Sequence, residues 1–380
     1  MVKLIKKLNI MKYYFEVIKY EIIMLPQLLR YLFSFKKKVL YVGCTGMGNL
    51  GDEVVYEATK SLLNQKFIFY KILYSKPNAG KIARKIFIKS PSYIFLGGGT
   101  IIKKGIDSGY LKLFVKLHNE YPKAKLIVFG AGVADPILAK EIGFPTDIVS
   151  WSTILNKCEF IAVRGVFSKS LLETKEWSVH NEVNILHDPA LFFAKKNLIL
   201  KTKTKTIGIN FCDILGRIYG GDAKKTEDFA NELIRSLLDD HWNIILYPTT
   251  VSDLEYMLKI IDKKLLARLE FYEYSSAIKS SLEFFDTIDV FLGQRLHSVI
   301  FSSITYTPFH GIEYESKISD YLLTLGLDDY STRTDSLSLN HVLHKINYLY
   351  HNLHDEQKKL FTLCQKARQE QIACTQKLIN

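Results

Sequence analysis

Cysteine is scarce and scattered in this 380-residue chain: Cys44, Cys158, Cys212, Cys364 and Cys374 show no CxxC spacing. Neither a zinc cluster nor a disulfide framework is indicated, and a reducing cytoplasm fits best. No uninterrupted apolar run near the N-terminus reaches the roughly 20 residues that a membrane-spanning helix needs. Charges run through that segment, unlike a signal peptide. The glycine-rich turns lack GxGxxG spacing and are not followed by the lysine and serine of a P-loop, which excludes the ordinary dinucleotide and nucleotide-triphosphate cradles. No clustering of His, Cys, Asp and Glu has metal-ligand spacing, so no metal and no cofactor is expected.

Negative charge is also short, with 39 acidic against 51 basic residues and a formal net charge of +12. The excess is concentrated at the start. Lys3, Lys6, Lys7, Lys12, Lys19, Arg30, Lys36, Lys37 and Lys38 face only Glu16 and Glu21. The remaining chain is mildly basic, which argues against a nucleic-acid module. Leu4, Leu8, Met11, Phe15, Ile18, Ile22, Leu25, Leu29 and Leu32 recur at helical spacing beside those lysines, and Pro26 is expected to end one helix or begin another. A basic amphipathic helix suits the headgroup region of an anionic membrane, on the inner face of the plasma membrane for a cytoplasmic protein. Packing on its own domain, or on a second copy in a homo-oligomer, is the alternative.

What is present is a folded soluble composition, 48% hydrophobic and 24% charged, long enough for two domains. Short apolar runs end repeatedly in glycine turns that open helices. Val39–Val42 leads into Gly43, Gly46, Gly48, Asn49, Gly51, Asp52 and Glu53. Tyr93–Leu96 leads into Gly97, Gly98, Gly99 and Thr100, Lys125–Gly130 into Gly132, Phe160–Val163 into Arg164, and Val183–Leu186 into Asp188. Helices are expected near residues 52–64, 79–89, 108–119 and 166–174, the alternation of a parallel sheet covered on both faces. After the polar stretch Lys201–Lys205 the alternation restarts, with helices near 224–239, 252–264, 276–285 and 316–325. The expected organisation is an extension at 1–37, α/β domains at 38–200 and 201–335, and C-terminal helices at 336–380. In such sheets ligands sit at the carboxyl ends of strands.

Arg295 and His297 occupy such an end. The run Thr287–Leu292, then Gly293, then an apolar helical pattern, places a permanent cation and a titratable imidazole at a helix N-terminus, where an anion is favoured. Arg295 paired with a carboxylate and His297 satisfied within the turn is the structural alternative. Arg217, in the loop Gly216–Gly221, also lies at a strand end. Gly98, Gly99 and Thr100 admit a ligand close to the backbone. Asn49, Asp52 and Glu53 either meet sugar hydroxyls or order their own turn.

The motifs taken together resemble the polysaccharide pyruvyl transferase family: Gly46 to Glu53, Gly97 to Thr100, Val163-Arg164-Gly165 with Ser168, Asp188-Pro189-Ala190, Arg295-Leu296-His297-Ser298, and Ile312 to Lys317 with Leu325-Gly326-Leu327. Their order matches from about residue 38 to 330. The resemblance implies two doubly wound Rossmann-like domains facing a cleft, as in GT-B glycosyltransferases, with the acceptor on the first domain and the anionic donor on the second. It implies transfer of pyruvate from phosphoenolpyruvate to a sugar of a surface polysaccharide or its lipid-linked oligosaccharide precursor. His297 and Arg295 would be catalytic, with Arg217, Lys317, Arg164 and Ser298 as further binding residues. Phosphoenolpyruvate needs convergent cations, and His297 as imidazolium could protonate its vinyl carbon. Asp52, Glu53 or Asp188 would orient the acceptor or act as base. A nucleotide-sugar glycosyltransferase and a non-catalytic membrane-associated assembly subunit are the competing readings.

Overall fold

The computed structural model describes residues 18–46, 48–73, 80–105, 109–214, 216 and 218–380. Two parallel sheets organise them. The first comprises β1 (Lys37–Val42), β2 (Phe67–Ile72), β3 (Tyr93–Gly97), β4 (Thr100–Ile102), β5 (Lys125–Val133), β6 (Cys158–Val163) and β7 (Val183–Ile185). Their order is β2-β1-β3-β5-β6-β7, with β4 beside β5. The second comprises β8 (Thr206–Asn210), β9 (Asn243–Leu246), β10 (Glu270–Phe271), β11 (Val290–Gly293), β12 (Phe309–Glu313) and β13 (Ser331–Arg333), ordered β10-β9-β8-β11-β12-β13. That is the doubly wound Rossmann order, and in both sheets the order reverses beside the first strand.

The strands are apolar on both sides because helices cover both faces. Leu40, Val42, Ile94, Leu96, Leu126 and Val128 face one layer with Met24, Leu28, Tyr31, Leu111 and Phe114. Val39, Tyr41, Phe95, Ile127 and Phe129 face the other with Tyr56, Leu63 and Cys374. The second sheet is enclosed in one larger core, which also takes in Leu50, Val54, Ala190 and Leu191 from the first half of the chain. The 27-residue helix Leu353–Ile379 runs back from the second domain to the first. Its Cys364 lies in the second core and its Cys374 against the first sheet.

A second tie crosses between the domains at helix Val166–Leu172. It begins after Gly165 and has no side-chain cap of its own. Helix Lys317–Leu325 supplies one: Val166 N–H donates to Thr324 Oγ1 at 2.9 Å, and Phe167 N–H to Asp320 Oδ1 at 2.9 Å. Ser168 Oγ donates to Asp320 Oδ2 at 2.6 Å, and Arg164 Nε lies 3.7 Å from the same oxygen. Residue 165 must be glycine here, since a Cβ would fall 2.1 Å from Asp320 Oδ1.

Three sequence expectations are corrected in detail. The 252–264 helix is two, Val251–Ile260 and Lys263–Leu266, separated at Ile261 and Asp262. β11 starts at Val290 because Phe285–Thr287 is a 3₁₀ turn and buried Asp289 accepts from Thr204 N–H and Thr206 N–H. Helix 18–32 runs through Pro26, which is exposed, held by the inward packing of Met24, Leu28 and Tyr31. Of the N-terminal apolar stripe, Ile18, Ile22, Leu25 and Leu29 point outward; residues 4–15 lie outside the described residues.

Asp320→Ala would strand the first N–H groups of helix Val166–Leu172 and remove the carboxylate opposite Arg164. Breaking a buried charge pair of this kind costs about 3–5 kcal/mol. Urea unfolding should give an unfolding free energy lower by about that amount and a lower midpoint, and an unchanged midpoint would mean that Asp320 does not hold the domains together.

Candidate active site

The carboxyl ends of β1, β3, β6, β9, β11 and β12 converge on one cavity of about 120 Å³ between the sheets. It is lined by Cys44, Asn49, Asp52, Gly99, Thr100, Lys103, Arg164, Thr249, Arg295, Leu296, His297, Glu315 and Lys317. Each side chain reaches it for a local reason. Asn49 caps helix Leu50–Leu63 by accepting from Gly51 N–H at 3.0 Å, which puts Asp52 in the first turn. Gly99 turns with φ +72°, and a Cβ there would meet Cys44 Sγ at 3.0 Å. Arg295 is the residue before helix Leu296–Ile304, and its N–H donates to Asn210 Oδ1 at the end of β8.

The second domain grips the glycine loop of the first at this point. Leu50 N–H donates to the Thr249 carbonyl at 3.2 Å, and the Tyr274 hydroxyl to the Gly48 carbonyl at 2.9 Å. The His297 ring lies over Gly51, where a Cβ would sit 2.1 Å from Nδ1. Any side chain at position 51 would expel the imidazole or separate the domains.

The cations are held in place by carboxylates. Arg295 Nε and Nη2 both donate to Asp253 Oδ1, at 3.0 and 2.6 Å. Lys317 Nζ is 2.8 Å from Glu315 Oε1 and donates to the Tyr314 hydroxyl. Arg164, facing Asp320, donates from Nη2 to Thr100 Oγ1 at 2.7 Å. Burial works against the Lys317 charge, but Glu315 and Tyr314 outweigh it and its pKa is raised.

His297 feels the opposite balance. Burial, then the positive charges of Arg164, Lys317 and Arg295, push its imidazole down to about 3, so it is neutral at physiological pH. Nε2 is buried with no hydrogen-bond partner among the described residues and lies 3.9 Å from Asp188 Oδ2. That approach becomes an ion pair only when His297 takes up a proton. Burial raises Asp188 to about 6, with Arg164 as the leading counterweight, and raises Asp52 to about 7 against Lys317 and Arg295. Burial also pushes the Cys44 thiol up to about 12, so it remains a weak hydrogen-bonding group beside Tyr110.

Of the sequence candidates, Asn49, Asp52, Gly99, Thr100, Arg164, Arg295, His297 and Lys317 meet here. Glu53 does not: its carboxylate accepts from Gly46 N–H at 2.6 Å and pairs with Lys71 at 3.0 Å, so it orders its own turn. Ser298 is buried, with its hydroxyl donating to the Arg295 carbonyl, and serves the turn rather than the cavity. Gly98 stands behind the wall, where a Cβ would strike Val55. Arg217 lies outside the described residues. Sequence reasoning missed Lys103, Thr249, Glu315 and Asp253. Thr250 and Asp253 form a capping pair, Asp253 N–H donating to Thr250 Oγ1 at 3.0 Å; that signature at a strand's carboxyl end was the signal available.

A family model, polysaccharide pyruvyl transferase, matches residues 49–316. The chain belongs to the polysaccharide pyruvyl transferase family. The match runs from the residue that caps the cavity's first helix to the one before Lys317. As a polysaccharide pyruvyl transferase family member the protein is a transferase, and its GT-B-like fold has solved counterparts. The glycotransferase of kitacinnamycin shares 9% identity with a TM-score of 0.51, over 91% of this chain and 99% of that one. An O-GlcNAc transferase mutant from Thermobaculum terrenum shares 11% identity with a TM-score of 0.50, over 90% of this chain and 66% of that one. Such distant likeness concerns the fold. No curated protein matches the chain.

The neutral, buried imidazole can be checked directly. In the ligand-free protein the NMR signal of His297 should not titrate between pH 8 and pH 5. A midpoint near 6.5, the ordinary value for histidine, would contradict the burial and the three neighbouring cations as its environment.

Proposed function

We propose that this protein transfers pyruvate from phosphoenolpyruvate onto sugar hydroxyls of a surface polysaccharide or its lipid-linked precursor, on the cytoplasmic side of the membrane, forming a ketal. The observation that carries the reading is the convergence of Arg164, Arg295, Lys317 and Lys103 on a single buried imidazole in a small cavity. A donor with one carboxylate and one phosphate needs several cations in one place. A space of about 120 Å³ suits a small acid better than a whole nucleotide sugar. A neighbouring cavity of about 350 Å³ shares Thr100, Lys103 and Glu315 with it and adds Asp135, Leu138, Ile142 and Phe144. Polar groups on one side and an apolar wall on the other suit the acceptor sugar.

The charges make the acid conditional on the donor. While the cavity is empty of anion, the surrounding cations hold His297 neutral. A bound phosphate and carboxylate offset that field, and Asp188 at 3.9 Å favours the imidazolium. His297 then gives its proton to the terminal vinyl carbon of phosphoenolpyruvate, leaving an oxocarbenium-like centre at the carbon that bears the phosphate. An acceptor hydroxyl adds to that centre and releases its proton to Asp52, whose raised pKa of about 7 suits a base near neutrality. Phosphate departs with the C–O bonding pair, and a second hydroxyl of the same sugar adds and gives its proton back to the neutral His297, closing the cyclic ketal.

Phosphate release from phosphoenolpyruvate, with and without a mixture of lipid-linked and synthetic hexosides, tests this. His297→Ala should lower acceptor-dependent release by roughly 10²-fold or more with the fold retained. Near-wild-type release would remove His297 as the acid. Lys317→Met should raise the KM for phosphoenolpyruvate about tenfold, the scale of a lost charge-assisted bond; an unchanged KM would take Lys317 out of the donor site.

A further inference from the structure

The first domain carries an apolar face that the transfer reading does not use. The first turn of helix Lys81–Phe87 meets helix 18–32 at Glu21, whose carboxylate accepts from Ile82 N–H at 2.9 Å and Ala83 N–H at 3.1 Å. Met24, Leu28, Tyr31 and Arg84 turn inward and are buried. The outer surface stays apolar, with Ile22 64%, Ile82 56% and Phe87 54% exposed. On helix 18–32, at about 100° per residue, Ile18, Ile22, Leu25 and Leu29 fall in one arc of roughly 60° that begins about 40° from Glu21. The stripe therefore borders the helix that Glu21 clamps. Exposed Phe33 and Phe35 follow at its end.

We infer that these two helices form one docking face for an anionic lipid bilayer. Charge decides the occupant. Arg30, Lys36, Lys85 and Lys89 lie in the same two segments. The one carboxylate in residues 18–38 and 80–90, Glu21, is engaged with backbone N–H groups. A second copy of this chain would bring its own lysines against them across a two-fold axis, whereas anionic headgroups complement them. An apolar face bordered by lysines is the arrangement by which a helix settles at the headgroup boundary without crossing it. Among the described residues no helix is long and apolar enough to cross a membrane. Helix Lys81–Phe87 makes the surface two helices wide, beyond what residues 1–37 alone would offer.

The experiment is co-sedimentation of the full chain with vesicles of phosphatidylcholine and phosphatidylglycerol in equal parts, and with vesicles of phosphatidylcholine alone. The wild type should bind the mixed vesicles in preference, less so at high salt. The double variants Ile82→Glu/Ile86→Glu and Ile22→Glu/Leu29→Glu should each bind about tenfold more weakly while melting like the wild type. Absence of binding by the wild type, or undiminished binding by the first variant, would overturn the inference. So would a concentration-dependent dimer that either variant dissolves, which would assign the face to a second copy. Failure of both variants to fold would show those side chains to be core and would equally overturn it. Lipid binding is read without turnover, and phosphate release in vesicle-free solution should be unchanged in both variants, so failure here and failure of the transfer reading are distinguishable.

Discussion

The imidazole of His297 occupies the space that a side chain at position 51 would fill, and that contact constrains both domains at once. It requires glycine in the first turn of helix Leu50–Leu63 and a close approach of helix Leu296–Ile304 from the other sheet. It also removes the ring from water. In open solvent a histidine titrates near neutrality, because water screens its neighbours; enclosed among Arg164, Arg295 and Lys317, His297 is held neutral. The fold thereby ties the protonation state of one residue to the buried charges around it.

The cations need fixing for the same reason. Unpaired, they would repel one another across a small cavity. Asp253, Asp320 and Glu315 each stand against one of them. Asp320 also caps helix Val166–Leu172, so the group that steadies Arg164 is also one that joins the domains. The carboxylates that line the cavity or lie beside it differ in role: Asp52 and Asp188 are raised by burial toward the range where a proton can be exchanged. One set of acids sets geometry and the other is available for chemistry.

Much of this could be read from the chain. Apolar runs ending in glycine turns marked β1, β3, β5 and β6, and the arginine and histidine after Gly293 marked residues that line the cavity, because those signals are local. The partners of the arginines were hidden, since Asp253 and Arg295 stand 42 residues apart and meet only when β9 and β11 flank β8. β4 was concealed by the glycines around Thr100, and the two-residue β10 is too short to show a pattern. Glu53 looked equivalent to Asp52 in sequence. Only the fold shows that one faces the cavity while the other turns back to Gly46 and Lys71. On helix 18–32 the outward stripe was legible, but the inward one of Met24, Leu28 and Tyr31 that anchors it was not.

The central claim is that the cavity between the domains is a site for phosphoenolpyruvate. Thermal unfolding of the purified protein with phosphoenolpyruvate, and separately with a series of nucleotide sugars, tests it most directly, since a ligand at 100 times its Kd adds about 2.7 kcal/mol of stability. The account predicts a raised Tm with phosphoenolpyruvate that is lost in Lys317→Met, and no comparable rise with nucleotide sugars. Protection by a nucleotide sugar and none by phosphoenolpyruvate would contradict it and make the protein a glycosyltransferase.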